Sequence, residues 1–271
     1  MHTTADGRYR HLVGRLYKTE GIILKSTSFG EGHLLITLIA KNGAKVRAIV
    51  WGSRKLTSRK SGHVEPLTRV DLTLSQGRDL DTVNQAQALE SFGPIKSNLQ
   101  ATAKAIYLAE LVDGFANEGN DNTPLYRLFL NALRMLEYPS NSDVSILYFQ
   151  LNLLNVTGFM PELYQCVECR RQISQGGHRF CIDLGGIVCD RCVLSDVRIS
   201  PISLRAIKVL RFFDRGAVTT LTTLRLPAPL YQELRSVLDG SIRYWLDREV
   251  RSREFMDHME RQAADEARLR V

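Results

Sequence analysis

The stretch HLLITLIAKNGAKVRAIVW, residues 33–51, reads as two strands and the turn that joins them. Asn42-Gly43 is the strongest short-range hairpin signal, because both residues tolerate the backbone angles of a tight turn. Before it, His33 to Ile39 is nearly all apolar; after it, apolar positions from Ala44 to Trp51 alternate with Lys45 and Arg47. Period-two alternation sends one set of side chains into a core and the other into water. Working outward, Gly21-Ile22-Ile23-Leu24-Lys25 predicts a strand ahead of this hairpin. Leu67 to Leu74 alternates cleanly behind it, and residues 82–92 supply a fifth strand. Five short strands within about 75 residues predict a small closed barrel, for which an OB-fold is the best match.

Gly93-Pro94 breaks this pattern, and the period becomes helical. Residues 98–116 set Leu99, Ala103, Ile106, Leu108, Leu111, Val112 and Phe115 at spacings that share a helix face. Thr123-Pro124 predicts an N-cap followed by proline at the first helical position, opening a helix to about Glu137. Ser142 or Asp143 caps another helix to about Val156, which Gly158 and Pro161 end. Helical period resumes near Ser200-Pro201, runs to about residue 215, and returns over 228–246 and 248–266. The expected fold class is α+β. A flexible arm (1–16) precedes an N-terminal OB-fold β-barrel (17–92). An α-helical domain follows in two parts (93–162 and 200–271), with a four-cysteine zinc-binding module inserted between them (163–199).

That module follows from CVECRRQISQGGHRFCIDLGGIVCDRC, residues 166–192, which holds all five cysteines of the chain. Cys166-x-x-Cys169 and Cys189-x-x-Cys192 have the spacing of paired zinc knuckles. Two residues between thiolates let one tight turn present both to the same ion, and two such turns complete a tetrahedral four-sulfur site. With no open position, such a site holds one structural Zn2+ per chain rather than a catalytic one. Free or redox-active thiols and an iron–sulfur cluster are the alternatives. Cys181 alternates with apolar neighbours and reads as a small buried hydrophobe. His178 is a rival ligand only if one cysteine is not used.

The net charge is +7, and it is uneven. Residues 1–90 carry 14 Lys/Arg against 8 Asp/Glu, whereas residues 91–165 carry 4 against 7. A basic barrel points to a polyanionic partner, against the plainer reading of a solvated surface. The segment from Trp51 to His63 joins two expected strands and carries Arg54, Lys55, Arg59 and Lys60 with no acid. Those four, with Lys45 and Arg47 on the preceding strand, are the candidate DNA-phosphate contacts, and Ser53, Ser58 and Ser61 can donate hydrogen bonds beside them. Trp51 and Phe29 are candidate stacking platforms for bases, although aromatic residues of a barrel more often fill its core. No apolar run is long enough to span a bilayer, and MHTTADGRYRHLVGR lacks the apolar stretch of a secretory signal. The expected location is the cytoplasm, in association with the nucleoid, with no membrane partner.

Several segments resemble the RecO family of bacterial recombination mediators. In the barrel they are Thr19-Glu20-Gly21-Ile22-Ile23-Leu24, Phe29-Gly30-Glu31, Gly43-x-Lys45 and Gly52-Ser53-Arg54-Lys55. Beyond it they are Leu154-x-x-x-Gly158-Phe159-x-Pro161-x-Leu163, the two cysteine knuckles with Gly185-Gly186-x-x-Cys189, and Leu246 to Phe255. The matches run in order from about residue 17 to 258, and the chain departs from the pattern in its N-terminal arm and at Trp51. The resemblance implies a non-enzymatic role. Proteins of this family bind single- and double-stranded DNA and anneal complementary strands. They dock on the acidic C-terminal tail of single-strand DNA-binding protein and, with RecR, help RecA load on coated strands.

An acidic, hydrophobic tail needs a basic face with a pocket. Arg205, Lys208 and Arg211, at three-residue spacing, form one candidate face, and Arg251 and Arg253 are further cations. Two other functions compete. A metal-dependent nuclease needs converging carboxylates or a phosphate-cradling loop, and neither G-x-x-x-x-G-K-[ST] nor H-E-x-x-H occurs. A zinc-ribbon transcription regulator would read duplex sequence, which the scaffold reading does not require.

Overall fold

β1 (Leu16–Phe29) is 14 residues long in the computed structural model. The structure describes residues 14–52, 63–117, 121–138, 142–195, 197–216 and 224–269. The strand expected at residues 21–25 is only the middle of β1. The first half of β1 pairs antiparallel with β4 (Arg69–Ser75), from Leu16 opposite Ser75 to Ile22 opposite Arg69. Its second half pairs antiparallel with β2 (His33–Ala40), from Gly21 opposite Ala40 to Phe29 opposite His33. β2 continues to β3 (Lys45–Val50), β3 lies parallel to β5 (Asp81–Glu90), and β5 returns antiparallel to β4. The order β1-β2-β3-β5-β4 closes on itself as a barrel, the OB-like architecture expected.

Two local features let one strand serve both neighbours. A Cβ on Gly21 would lie 2.4 Å from Leu38 Cδ1 and 2.9 Å from the Ile39 carbonyl oxygen, so the approach of β1 to β2 requires glycine. A register shift between Ile23 and Lys25 is a bulge, which adds the bend that closure needs. It also breaks the alternation: Gly21, Ile22, Ile23 and Leu24 are all buried. Inside the barrel, Ile23, Ile36, Leu38, Val46, Ala48, Val70, Leu72, Leu74 and Val83 form one apolar core. The hairpin turn is longer than a two-residue one. Gly43 N–H donates to the Ala40 carbonyl (2.9 Å) and Ala40 N–H to the Ala44 carbonyl (2.8 Å). With Gly43 at φ 83°, this is a three-residue loop closed by a left-handed glycine.

Residues 1–91 form one compact unit and residues 92–271 a second. After a single turn, α1 (Gly93–Lys96), the second unit contains α2 (Leu99–Phe115), α3 (Thr123–Leu136) and α4 (Ser142–Val156). Asn98 caps α2, its Oδ1 accepting from Ala101 N–H at 3.0 Å. The cap expected at Thr123 falls one residue earlier. Asn122 is the N-cap residue of α3 and makes no side-chain cap bond, while Asp121 Oδ1 accepts from Thr123 N–H at 2.9 Å. A three-stranded sheet follows, in the order β7-β6-β8, built from β6 (His178–Cys181), β7 (Gly186–Val188) and β8 (Ile199–Ile202). Ser200 and Pro201, read as a helix start, lie in β8. The helix α5 (Leu204–Arg215) begins after Ser203, whose Oγ accepts from Ala206 N–H at 3.1 Å. Last come α6 (Ala228–Leu246) and α7 (Arg251–Leu269). Among the described residues, no helix is long and apolar enough to cross a membrane.

Polar groups fix α7 in place. Glu110 on α2 caps it from outside: Oε1 accepts from Arg251 N–H (3.1 Å), and Oε2 accepts from Ser252 N–H (2.8 Å) and from the Ser252 hydroxyl. Asp239 on α6 receives Arg253 at 2.7 Å and Gln150 Nε2 at 2.7 Å, and Gln150 Nε2 also donates to Tyr107 Oη at 2.7 Å. Arg235 bridges Asp257 and Glu260 on α7. Burial raises the Asp239 carboxyl above its ordinary value, against the opposing pull of Arg253, Gln150 and Arg235.

Two outcomes follow for stability. Gly21→Val should cost about 2–3 kcal/mol through overpacking against Leu38, read as a lower urea midpoint. For Asp239, the native state keeps a proton that the unfolded chain has already released. Its contribution therefore falls as pH rises from the ordinary carboxylate value through the raised one. The stability of the parent relative to Asp239→Asn should improve as pH is lowered through that window, measured by urea denaturation at successive pH values.

Candidate functional site

The four paired cysteines converge. Cys166 and Cys169 sit on the loop before β6, Cys189 directly follows β7, and Cys192 closes the next turn. The first knuckle is a tight turn: Arg170 N–H donates to the Cys166 carbonyl (2.9 Å) with Arg170 at φ 60°. Cys166 N–H donates back to the Arg171 carbonyl at 2.8 Å. Val167 N–H donates to the Ile187 carbonyl at 2.9 Å, which ties this knuckle to β7 and so to the second pair. The sulfurs are 3.8 Å apart for Cys166 and Cys192, 3.7 Å for Cys169 and Cys189, and 3.6 Å for Cys189 and Cys192. All four lie within 4.8 Å of one another.

A tetrahedron with metal–sulfur bonds of about 2.3 Å has sulfur–sulfur edges of about 3.8 Å, so these four thiols could hold a metal ion. The same spacing is far beyond a disulfide bond of about 2.0 Å. Burial alone would push the Cys166 thiol up, but the N–H groups of Cys169, Cys189 and Glu168 outweigh it and hold the thiol at about 6. Hydrogen bonds from its neighbours, Cys169 first, push Cys192 up to about 12. A bound cation would replace that sharing of protons by direct coordination.

Arg179 on β6 supports the second knuckle, its Nη2 donating to the Cys189 carbonyl at 3.2 Å and to the Cys192 carbonyl. Sequence reasoning missed this role; the one cue to it is a cation between the buried His178 and Phe180. Cys181 is fully buried, as its apolar neighbours suggest. His178 is buried with Nε2 on the Ser174 carbonyl at 2.8 Å, and it is not part of the four-sulfur cluster.

On the barrel, Lys45 and Arg47 take the outer face of β3, alternating with the core residues Val46 and Ala48. Arg54, Lys55, Arg59 and Lys60 lie outside the described residues. Trp51 and Phe29 are not core residues: they are 36% and 39% exposed. Trp51 meets His33 edge-on, with ring centroids 4.6 Å apart. The three α5 cations separate. Arg205 and Lys208 are exposed, whereas Arg211 donates through Nε to the Leu163 carbonyl (2.8 Å) and stacks on Tyr164. Arg253 belongs to the α6–α7 ion network, and Arg251 is exposed beside it.

A closed OB-like barrel followed by a helical unit with a four-cysteine cluster defines a barrel-and-helix protein able to carry a metal ion. Comparison with known families narrows that class. The family model described as "Recombination protein O N terminal" matches residues 15–92, and "Recombination protein O C terminal" matches residues 96–254. The chain belongs to the RecO family of DNA repair proteins. It is similar to the DNA repair protein RecO of Desulforamulus reducens, 33% identical over 245 residues, or 90% of this chain and 95% of that one. It is also similar to that of Desulforudis audaxviator, 34% identical over 243 residues, or 90% of this chain and 97% of that one. The RecO of Roseiflexus sp. is 33% identical over 243 residues, or 90% of this chain and 86% of that one.

Chelation, or Cys169→Ser, should release about one metal equivalent per chain and lower the melting temperature. Elemental analysis by mass spectrometry reads the metal, and thermal melting reads the stability. Retention of a full equivalent by Cys169→Ser would remove that cysteine from the ligand set.

Proposed function

We propose that this chain is a non-enzymatic DNA-binding recombination mediator. It binds single- and double-stranded DNA, anneals complementary strands and, with RecR, helps RecA load on strands coated by single-strand DNA-binding protein. The observation that carries this reading is the match of both units to the two RecO family models. The barrel adds a physical reason. Lys45 and Arg47 on its outer face, continued in sequence by Arg54, Lys55, Arg59 and Lys60, can neutralise phosphates and release counterions. Two strands held against one basic surface repel each other less, which favours pairing.

The cysteine cluster holds one structural Zn2+ in this reading, with Cys166, Cys169, Cys189 and Cys192 as ligands. Zinc suits four thiolates, and a closed shell leaves it no catalytic position. The loops that carry the two knuckles gain from the ion a crosslink between them that hydrogen bonds alone do not supply. The tail of single-strand DNA-binding protein docks on α5. Arg205 and Lys208 supply positive charge, and Phe212, 40% exposed, lies seven and four residues further along the same helix face. Arg211 anchors that face through Leu163 and Tyr164. The protein works in the cytoplasm at the nucleoid, where its DNA substrate lies.

The test is annealing of complementary oligonucleotides precoated with single-strand DNA-binding protein, its tail intact or deleted. Acceleration only with the tail present is the expected result. DNA binding without acceleration in either case would remove the mediator reading and favour a duplex-binding regulator. Charge reversal at Arg205 and Lys208 should weaken binding of the isolated tail peptide by about tenfold or more, measured by fluorescence anisotropy.

A further inference from the structure

The four cysteines of the cluster are not equally sheltered. Cys166 and Cys189 are buried, Cys192 is half-buried and Cys169 is exposed. The Cys166 sulfur also accepts the Cys189 N–H at 3.4 Å, whereas Cys169 lies between the exposed residues Glu168 and Arg170. Two close sulfur contacts cross from one knuckle to the other: Cys169 to Cys189 at 3.7 Å and Cys166 to Cys192 at 3.8 Å. Cysteines that hold a metal ion do so as thiolates. The thiolate is the form that oxidants attack, and attack follows exposure. One ligand of an otherwise sheltered site is therefore open to modification.

We propose that Cys169 is the entry point of a redox switch, in which hydrogen peroxide oxidises Cys169, Cys189 closes a disulfide with it, and the bound ion leaves. This rests on the metal-bound reading of the cluster. The Cys169 thiolate gives an electron pair to one peroxide oxygen; the O–O bond breaks, an S–O bond forms and hydroxide departs. The Cys189 thiolate then attacks that sulfur; the S–O bond breaks, the S–S bond forms and a second hydroxide departs. Two protons from solvent turn the hydroxides into water. The pair of thiolates loses two electrons and the peroxide gains them. The ion keeps only Cys166 and Cys192, half of its ligands, and dissociates.

Cys189 is the partner because its sulfur already faces Cys169 across the cluster. Closing 3.7 Å to a bond of about 2.0 Å asks for a short movement of the exposed turn. A bond between knuckles also replaces one crosslink by another. The two turns stay joined when the ion goes, so a dithiol reductant can reopen the pair and the ion can return. Cys181 is fully buried and outside the cluster, and it takes no part.

The test uses the full chain, reduced and metal-loaded, with its ion counted by elemental mass spectrometry. Since Cys169→Ser is itself expected to lose the ion, the oxidant supplies the test. Hydrogen peroxide should release about one equivalent of ion for about two thiols lost, read with a chromogenic chelator and by alkylation. Peptide mapping should find Cys169 joined to Cys189 before any other pair, with Cys181 still a thiol. The melting temperature should fall with release, and dithiothreitol with added zinc should restore it. Cys181→Ala should release its ion within about twofold of the parent rate. Retention of the ion by oxidised protein, or a first disulfide within one knuckle, would overturn the switch and leave the metal site standing. Failure of the reduced parent to hold an ion would overturn the metal reading and the switch with it.

Discussion

Backbone hydrogen bonds from β1 run to β4 along its first half and to β2 along its second. Every other feature of the barrel depends on that change of partner. If β1 continued along β2 alone, β4 would keep an unpaired edge, and exposed edges invite association with other chains. The change occurs where Gly21 removes a side chain and the bulge before Lys25 adds a bend. The consequence reaches the surface. The bulge sets which residues of β1 face outward beyond it, and so places Lys25 and Phe29 in line with partners on β2 and β3.

The second unit depends more on polar pairing than its apolar helices suggest. Asp239, Arg253 and Gln150 meet where α4, α6 and α7 come together. Such groups cost free energy to desolvate, and removal of one member strands the others, typically at about 3–5 kcal/mol for a buried pair. Their gain is specificity of geometry: guanidinium and carboxylate partners fix the rotation of α7, which an apolar stripe alone leaves loose. Arg179 does the same on a smaller scale by gripping two carbonyls of one cysteine knuckle.

The barrel is legible in the sequence because its signals are local. Alternation, Asn42-Gly43 and the gaps between apolar runs name five strands, and the cysteine spacing names the cluster. Register is not legible, because it depends on which strands become neighbours; the Lys25–Thr37–Arg47 row exists only after pairing. Ser200-Pro201 misleads because Ser-Pro also opens helices, yet here pairing with Phe180 and Arg179 draws it into a sheet. The α3 cap lies one residue from its expected place, since Asn122 and Thr123 both suit that position. Arg211 looks in sequence like an equal of Arg205 and Lys208. Helical spacing does not reveal that the Leu163 carbonyl and the Tyr164 ring wait beside it.

The capping of α7 by Glu110 also orders events in time. The barrel's pairings all lie within the first 90 residues, so it can close while the rest of the chain is still being synthesised. The start of α7 has its acceptor 141 and 142 residues upstream. No local signal can substitute for a contact of that separation, and such contacts form late. Until Arg251 and Ser252 leave the ribosome, α2 holds a carboxylate with nothing to cap. An early-folding barrel and a late-closing helical unit are the natural sequence, and truncation before residue 251 should trap the molecule between the two.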